Sequence, residues 1–98
     1  MGLQKDFAGN ETRQLHEFAD FAGRRVLEVG CGDGRLTWRY ASSARSVCGI
    51  DLDADELRVA RIERPSDLES TVTFARSDAL HLPFRSRSFD LAIFAWSF

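Results

Sequence analysis

Between Glu28 and Gly34 the chain sets three glycines at alternate positions behind an acid, in the run Glu28, Val29, Gly30, Cys31, Gly32, Asp33, Gly34. Glycines at this spacing let a backbone turn sharply and approach a ligand closely, and a helix that starts directly afterwards offers that ligand its unpaired N–H groups. A ligand is expected over this loop. The dinucleotide fingerprint G-x-G-x-x-G is not met, because Gly34 comes one position early and Arg35 stands where that pattern keeps a small residue. Two more acids, Asp51 and Asp78, close later strand-like runs. Acids at the carboxyl ends of parallel strands face the ligand crevice of an open α/β sheet, which gives Asp51 a binding role and leaves Glu28 either in that crevice or solvated at a strand terminus. Asp33 can serve as a first-turn partner of the helix dipole or touch the ligand.

The elements that must carry these residues follow from the apolar pattern. Leu15, Phe18, Ala19 and Ala22 recur at helical spacing, and Gly23 is placed to end that helix. Val26 to Val29 read as a buried parallel strand, followed by a helix from about Arg35 to Ser42 with Leu36 and Tyr40 one turn apart. A second strand, Val47 to Ile50, ends at Asp51. Asp53 and Glu56 have the spacing of a capping box, and the next helix carries Leu57, Val59, Ala60 and Ile62 until Pro65 stops it. Thr71 to Phe74 make a third strand and Leu91 to Phe94 a fourth. Strand and helix alternate, which implies right-handed crossovers and a doubly wound parallel sheet with helices on both faces.

Bulk composition limits what this scaffold does. The 98 residues are 44% hydrophobic and 29% charged, enough for one small domain that buries roughly 60 to 65% of its unfolded surface. The net charge of -2 comes from interleaved acids and bases, with no basic face for a phosphate backbone, so nucleic acid is not an expected partner. No run reaches the ~20 apolar residues of a membrane span. Cys31 and Cys48 are isolated, and with His16 and His81 they match no zinc-ligand spacing, so no metal is expected. They read as two reduced thiols of a cytoplasmic protein with no secretory leader in front of them.

The form E-x-G-x-G-x-G, within VLEVGCGDGRLT, resembles motif I of the class I S-adenosylmethionine-dependent methyltransferases. The rest of the chain extends the likeness. GIDLD resembles that family's second strand end, which implies that Asp51 accepts bonds from both ribose hydroxyls and that Leu52 packs on the adenine. ARSDAL implies Asp78 and the backbone N–H of Ala79 at the adenine edge, and LPFRSRSFDLAIF looks like the loop and fourth strand of the small-molecule branch, adding Phe94 to the cofactor contacts. Glu28 is implied near the methionine ammonium, directly or indirectly, and Gly30, Cys31, Gly32 and Gly34 form the loop, with Cys31 a space filler rather than a nucleophile. Trp38, Tyr40 and Trp96 read as packing, and His81 as a solvated loop histidine.

The resemblance implies S-adenosylmethionine as cofactor, a Rossmann-like sheet truncated after the fourth strand in the order 3-2-1-4, and a small-molecule methyl acceptor whose pocket lies largely beyond that strand. Residues 1–98 are thus expected to be the N-terminal, cofactor-binding portion of one methyltransferase domain. Transfer from a sulfonium is an in-line displacement that asks mainly for positioning, and no catalytic base is assigned. The uncharged fourth strand, left at a sheet edge, is expected to pair two copies into a homodimer. Two other readings stay open: a nicotinamide-dependent oxidoreductase fragment, and a non-catalytic cofactor-binding or assembly module.

Overall fold

A computed structural model of the chain describes residues 20–78 and 88–95. Among them run four strands, β1 (Arg25–Val29), β2 (Ser46–Asp51), β3 (Val72–Arg76) and β4 (Leu91–Phe94), and one α-helix, α1 (Ala54–Glu63). They form a single sheet in the order β3-β2-β1-β4, and every neighbouring pair is parallel. This is the order expected from the resemblance. β3 runs two residues past its expected end because its ladder with β2 continues to the Asp51 and Arg76 pair.

β1 is central, and its residues from Val26 to Val29 are all buried. Side chains alternate across a strand, so each sheet face receives its own core. Val26 joins Phe21, Tyr40, Ala41, Val47, Leu68 and Val72 on one face. Leu27 and Val29 join Cys48 and Ile50 on the other, with Ala75 and Phe89 against them. Glu28 alternates onto the Val26 face and is fully buried there.

The two sheet edges differ. At β3 the bonds from Val47 N to Thr71 O and from Ser77 N to Asp51 O set the phase of the ladder, which turns the carbonyls of Val72 and Phe74 outward. Arg64 Nη1 donates to Val72 O at 2.9 Å and Arg61 Nη2 to Phe74 O at 3.2 Å, so guanidinium groups cover that edge. At the other side, Asp90 fastens β4 to β1. Its N–H donates to Arg25 O at 2.8 Å, while its carboxylate accepts from Arg25 N, Nε and Nη2 at 2.8, 3.1 and 3.1 Å.

α1 begins as its sequence predicts. Asp53 is the N-cap, its Oδ1 accepting from Asp55 N and Glu56 N, an arrangement worth about 1 kcal/mol. The reciprocal half of the capping box is absent, since Asp53 N donates to Asp51 Oδ1 rather than to Glu56. At the far end Arg64 is extended at ψ 123°, the conformation that Pro65 imposes on its predecessor.

The helix expected from Arg35 to Ser42 is only a 3-10 turn, Thr37–Arg39, with flanking turns. Its hydrogen bonds mix steps of three and four residues: Trp38 N to Gly34 O and Ala41 N to Thr37 O span four, while Arg39 N to Leu36 O and Tyr40 N to Thr37 O span three. The physical reason is a competing pull, because the Thr37 and Tyr40 hydroxyls both reach down to the sheet. The helix expected over Leu15 to Ala22 lies almost wholly outside the described residues. Its described end, Asp20 to Ala22, is not helical; Phe21 there stacks on Tyr40 with centroids 4.3 Å apart, and Gly23 takes φ 67° in the turn that follows.

Candidate cofactor site

The glycine loop is held to the end of β2 by backbone bonds. Gly30 N and Cys31 N both donate to Ile50 O, at 2.8 and 3.0 Å. Two residues on, Gly32 N donates to Asp51 Oδ2 at 2.8 Å, and Asp51 Oδ1 takes Asp53 N at 2.9 Å. Asp51 thereby joins the loop to the entry of α1. Each carboxylate oxygen carries two lone pairs, so each retains capacity for one more donor. Two acceptors on one half-buried carboxylate are suited to a vicinal diol.

The glycines divide by what surrounds them. A Cβ on Gly34 would lie 2.5 Å from Trp38 Cζ2, and its φ of 88° disfavours any side chain. Gly32, at φ 56°, has nothing within 4 Å of that position and so opens the space in front of the loop. Gly49, within β2, escaped the sequence reading; a Cβ there would sit 2.8 Å from Cys31 Sγ and 2.9 Å from Phe74 Cδ1. Its only signal was a glycine inside a strand, a mark of close approach. Cys31 is therefore a buried filler seated over the sheet. Burial raises its thiol pKa first, and the charges of Glu28 and Asp51 raise it further.

Glu28 lies beneath the loop. Its Oε1 accepts from Thr37 Oγ1 at 2.8 Å and from Tyr40 Oη at 2.5 Å. Its Oε2 is buried with no hydrogen-bond partner among the described residues. Burial pushes its carboxyl up to about 7, against the pull of the Tyr40 and Thr37 bonds. Thr37 and Tyr40 are the functional candidates that the sequence reading passed over, since only a folded chain brings them to Glu28.

Other expected contacts lie along the same carboxyl edge of the sheet. Leu52 is 59% exposed and follows Asp51, while Phe94 is 50% exposed and pairs in register with Val29. Arg76 Nε donates to Leu52 O at 2.9 Å. Asp78 is half-buried after β3, where Ser77 N reaches back to Asp51 O at 3.1 Å. Ala79 lies outside the described residues, as do His16, His81 and Trp96. Asp33 serves its own loop by accepting Arg35 N at 3.1 Å. The structure thus gathers Glu28, Gly30, Cys31, Gly32, Gly34 and Asp51 around one loop and sets Leu52, Asp78 and Phe94 at adjoining strand ends.

Comparison with known proteins agrees with this fold. Residues 26–98 match the family described as methyltransferase domain. The methyltransferase GfsG of Streptomyces halstedii is 42% identical over 82 residues, 81% of this chain and 30% of that protein. A demethylmenaquinone methyltransferase of Porphyromonas gingivalis is 35% identical over 80 residues, 78% of this chain and 33% of that one. The crystal structure of an S-adenosylmethionine-dependent methyltransferase from Mesorhizobium loti superposes with a TM-score of 0.72 at 30% identity, over 91% of this chain and 40% of that one. The chain spans about a third of the length of the curated relatives it matches.

Proposed function

The chain belongs to the methyltransferase-domain family, and from that membership we propose that it is the cofactor-holding portion of an S-adenosylmethionine-dependent methyltransferase acting on a small molecule. The observation that carries this reading is Asp51. It fixes the loop through Gly32 N and keeps two acceptor positions for ribose hydroxyls. The open space before Gly32 and the exposed face of Leu52 fit the remaining parts of such a ligand. Gly30, Cys31 and Gly34 shape the loop, Asp78 and Ala79 take the adenine edge, and Phe94 borders the site from β4.

A bound sulfonium would supply an already activated methyl carbon, so the protein's task is to hold and orient. Asp51 fixes the ribose, the loop backbone sets the depth of the ligand, and Glu28, buried behind that loop, acts on its ammonium indirectly. No side chain is assigned as a base. Gly34 in place of a later third glycine argues against a dinucleotide. Calorimetric titration with S-adenosylhomocysteine and with NAD tests the reading: binding of the first and not the second supports it, and the reverse rejects it.

The acceptor is read as a small molecule because the Porphyromonas relative is a demethylmenaquinone methyltransferase. Residues 1–98 are read as a partial domain. Cys31 and Cys48 are free thiols, which suits a reducing, cytoplasmic setting. Among the described residues no helix is long and apolar enough to cross a membrane. For this 98-residue chain we further propose a homodimer paired along β4. Its segment Leu91–Phe94 is uncharged, whereas arginines cover the β3 edge.

A further inference from the structure

The end of β2, the entry of α1 and the end of β3 meet at one peptide unit, the one between Leu52 and Asp53. It lies just past the β2–β3 ladder, whose last register pair is Asp51 and Arg76 and where Ser77 N donates to Asp51 O at 3.1 Å. Its N–H, carried by Asp53, donates to Asp51 Oδ1 at 2.9 Å, and its C=O, carried by Leu52, accepts from Arg76 Nε at 2.9 Å. A trans peptide is planar, so its N–H and C=O point in opposite directions and turn as one body. Whatever holds the carbonyl therefore aims the N–H.

That N–H has two acids within reach of its chain position. Glu56 stands three residues after Asp53, the spacing at which a capping box returns a carboxylate to the N-cap N–H, and Asp51 stands two residues before it. The bond goes to Asp51. Arg76 favours this choice from the other end of the peptide, because a charge-assisted bond fixes the plane and a bonded carbonyl polarises the N–H of the same unit. Turning the plane over would take the N–H off Oδ1 and bring the Leu52 oxygen toward a carboxylate that can only accept.

We infer that Arg76 is a positioning residue of the cofactor site: by holding the Leu52 carbonyl it keeps the Asp53 N–H on Asp51 Oδ1, and so steadies the carboxylate whose other oxygen takes Gly32 N. This rests on the cofactor reading above, in which Asp51 receives the ribose, and adds to it a residue of β3 outside the glycine loop. Asp51 is half-buried and its bond to Asp53 lies at the surface, so the steadied carboxylate is open to a ligand. Arg76 is itself exposed at the end of β3, so its replacement leaves the core intact.

The test compares the parent chain with Arg76→Met, which keeps the length of the side chain and removes its donors, and with Arg76→Gln, whose amide nitrogen stands as many bonds from Cα as Nε does. Two quantities are read: the exchange rate of the Asp53 amide in the ligand-free chain, by NMR, and the affinity for S-adenosylhomocysteine, by calorimetry. Arg76→Met is expected to speed Asp53 exchange about fivefold and to weaken binding about fivefold, the order of one charge-assisted bond, with its melt unchanged. Arg76→Gln is expected to match the parent in both. Unchanged Asp53 exchange or unchanged affinity in Arg76→Met, exchange sped all along β2 with a lowered melt, or an Arg76→Gln as impaired as Arg76→Met overturns the positioning role while leaving the cofactor reading intact. Failure of the parent to bind S-adenosylhomocysteine overturns both.

Discussion

Gly32 N donates to Asp51 Oδ2 at 2.8 Å across nineteen residues of chain. One carboxylate at the end of β2 thus sets the height of a loop that leaves β1, and the same carboxylate holds the N–H of the α1 N-cap. Loop, strand end and helix entry share a single anchor.

The glycines of the loop are expected to respond differently to the same substitution. Gly34→Ala drives a Cβ into the Trp38 ring at an unfavourable φ, and a loss of about 2 kcal/mol or more of stability is expected, read as a lowered Tm. Gly32→Ala meets no atom and is expected to cost only about 1 kcal/mol from its positive φ, while its methyl group enters the ligand space and weakens S-adenosylhomocysteine binding at least tenfold. Equal Tm losses in the two variants would contradict the assignment.

Stability is expected to depend on pH through two acids of opposite sign. The folded pKa of Glu28 is raised from 4.5 to about 7 by burial, so the folded state holds this proton more tightly than the unfolded one. Its contribution is present below 4.5 and is lost as pH rises through about 7, a change on the order of 3 kcal/mol that Glu28→Gln should abolish. Asp90 runs the other way. Its bonds to Arg25 lower it from 3.8 to about 2, so its contribution is present above 3.8 and is lost as pH falls toward 2. Thermal melts from pH 2 to 8 are expected to peak near 4 to 5, and the acid limb should shrink in Asp90→Asn and in high salt.

Both thiols are buried with raised pKa values, so neither is a nucleophile in the folded chain. Labelling of native protein by iodoacetamide at pH 8 is expected to be at least tenfold slower than in denaturant. Rapid labelling of Cys31 in the folded chain would remove it from its place over Gly49.

Pairing along β4 is expected to give a dimer at micromolar concentration in light scattering, with a melt that shifts on dilution. Phe94→Lys, which sets a charge on the half-exposed edge residue, should return it to monomer. A monomeric parent chain with a concentration-independent melt would reject the pairing.

The sheet was legible in the sequence because its parallel strands read as short, largely apolar runs, buried in β1 and β2 and half-exposed in β4. Val26–Val29, Val47–Ile50 and Leu91–Phe94 are each bounded by a glycine, an acid or both, and each is a strand. The Asp53 cap was legible for a local reason too, since its acceptors lie two and three residues away. What failed was non-local. The spacing of Leu36 and Tyr40 suits an α-helix, yet the turn they stand in is shaped by hydroxyl bonds to Glu28, nine and twelve residues back. The missing half of the capping box is instead a local competition, because Asp51, two residues before the cap, takes the N–H that Glu56 would have met. Gly49 gave only the weak signal of a glycine inside a strand, because its constraint comes from Cys31 and Phe74, on other elements. Asp51 and the loop glycines were legible as a pattern, while the burial of Glu28 and its two donors required the fold.

Titration of the parent chain and of Asp51→Ala with S-adenosylhomocysteine tests the central claim most directly. Loss of two hydroxyl bonds to a carboxylate, together with its hold on Gly32, is expected to weaken binding by roughly 2 to 4 kcal/mol, thirtyfold or more. Binding by the parent and its near-disappearance in Asp51→Ala, with a retained cooperative melt, is the expected result. Equal affinity in the two chains would contradict the account.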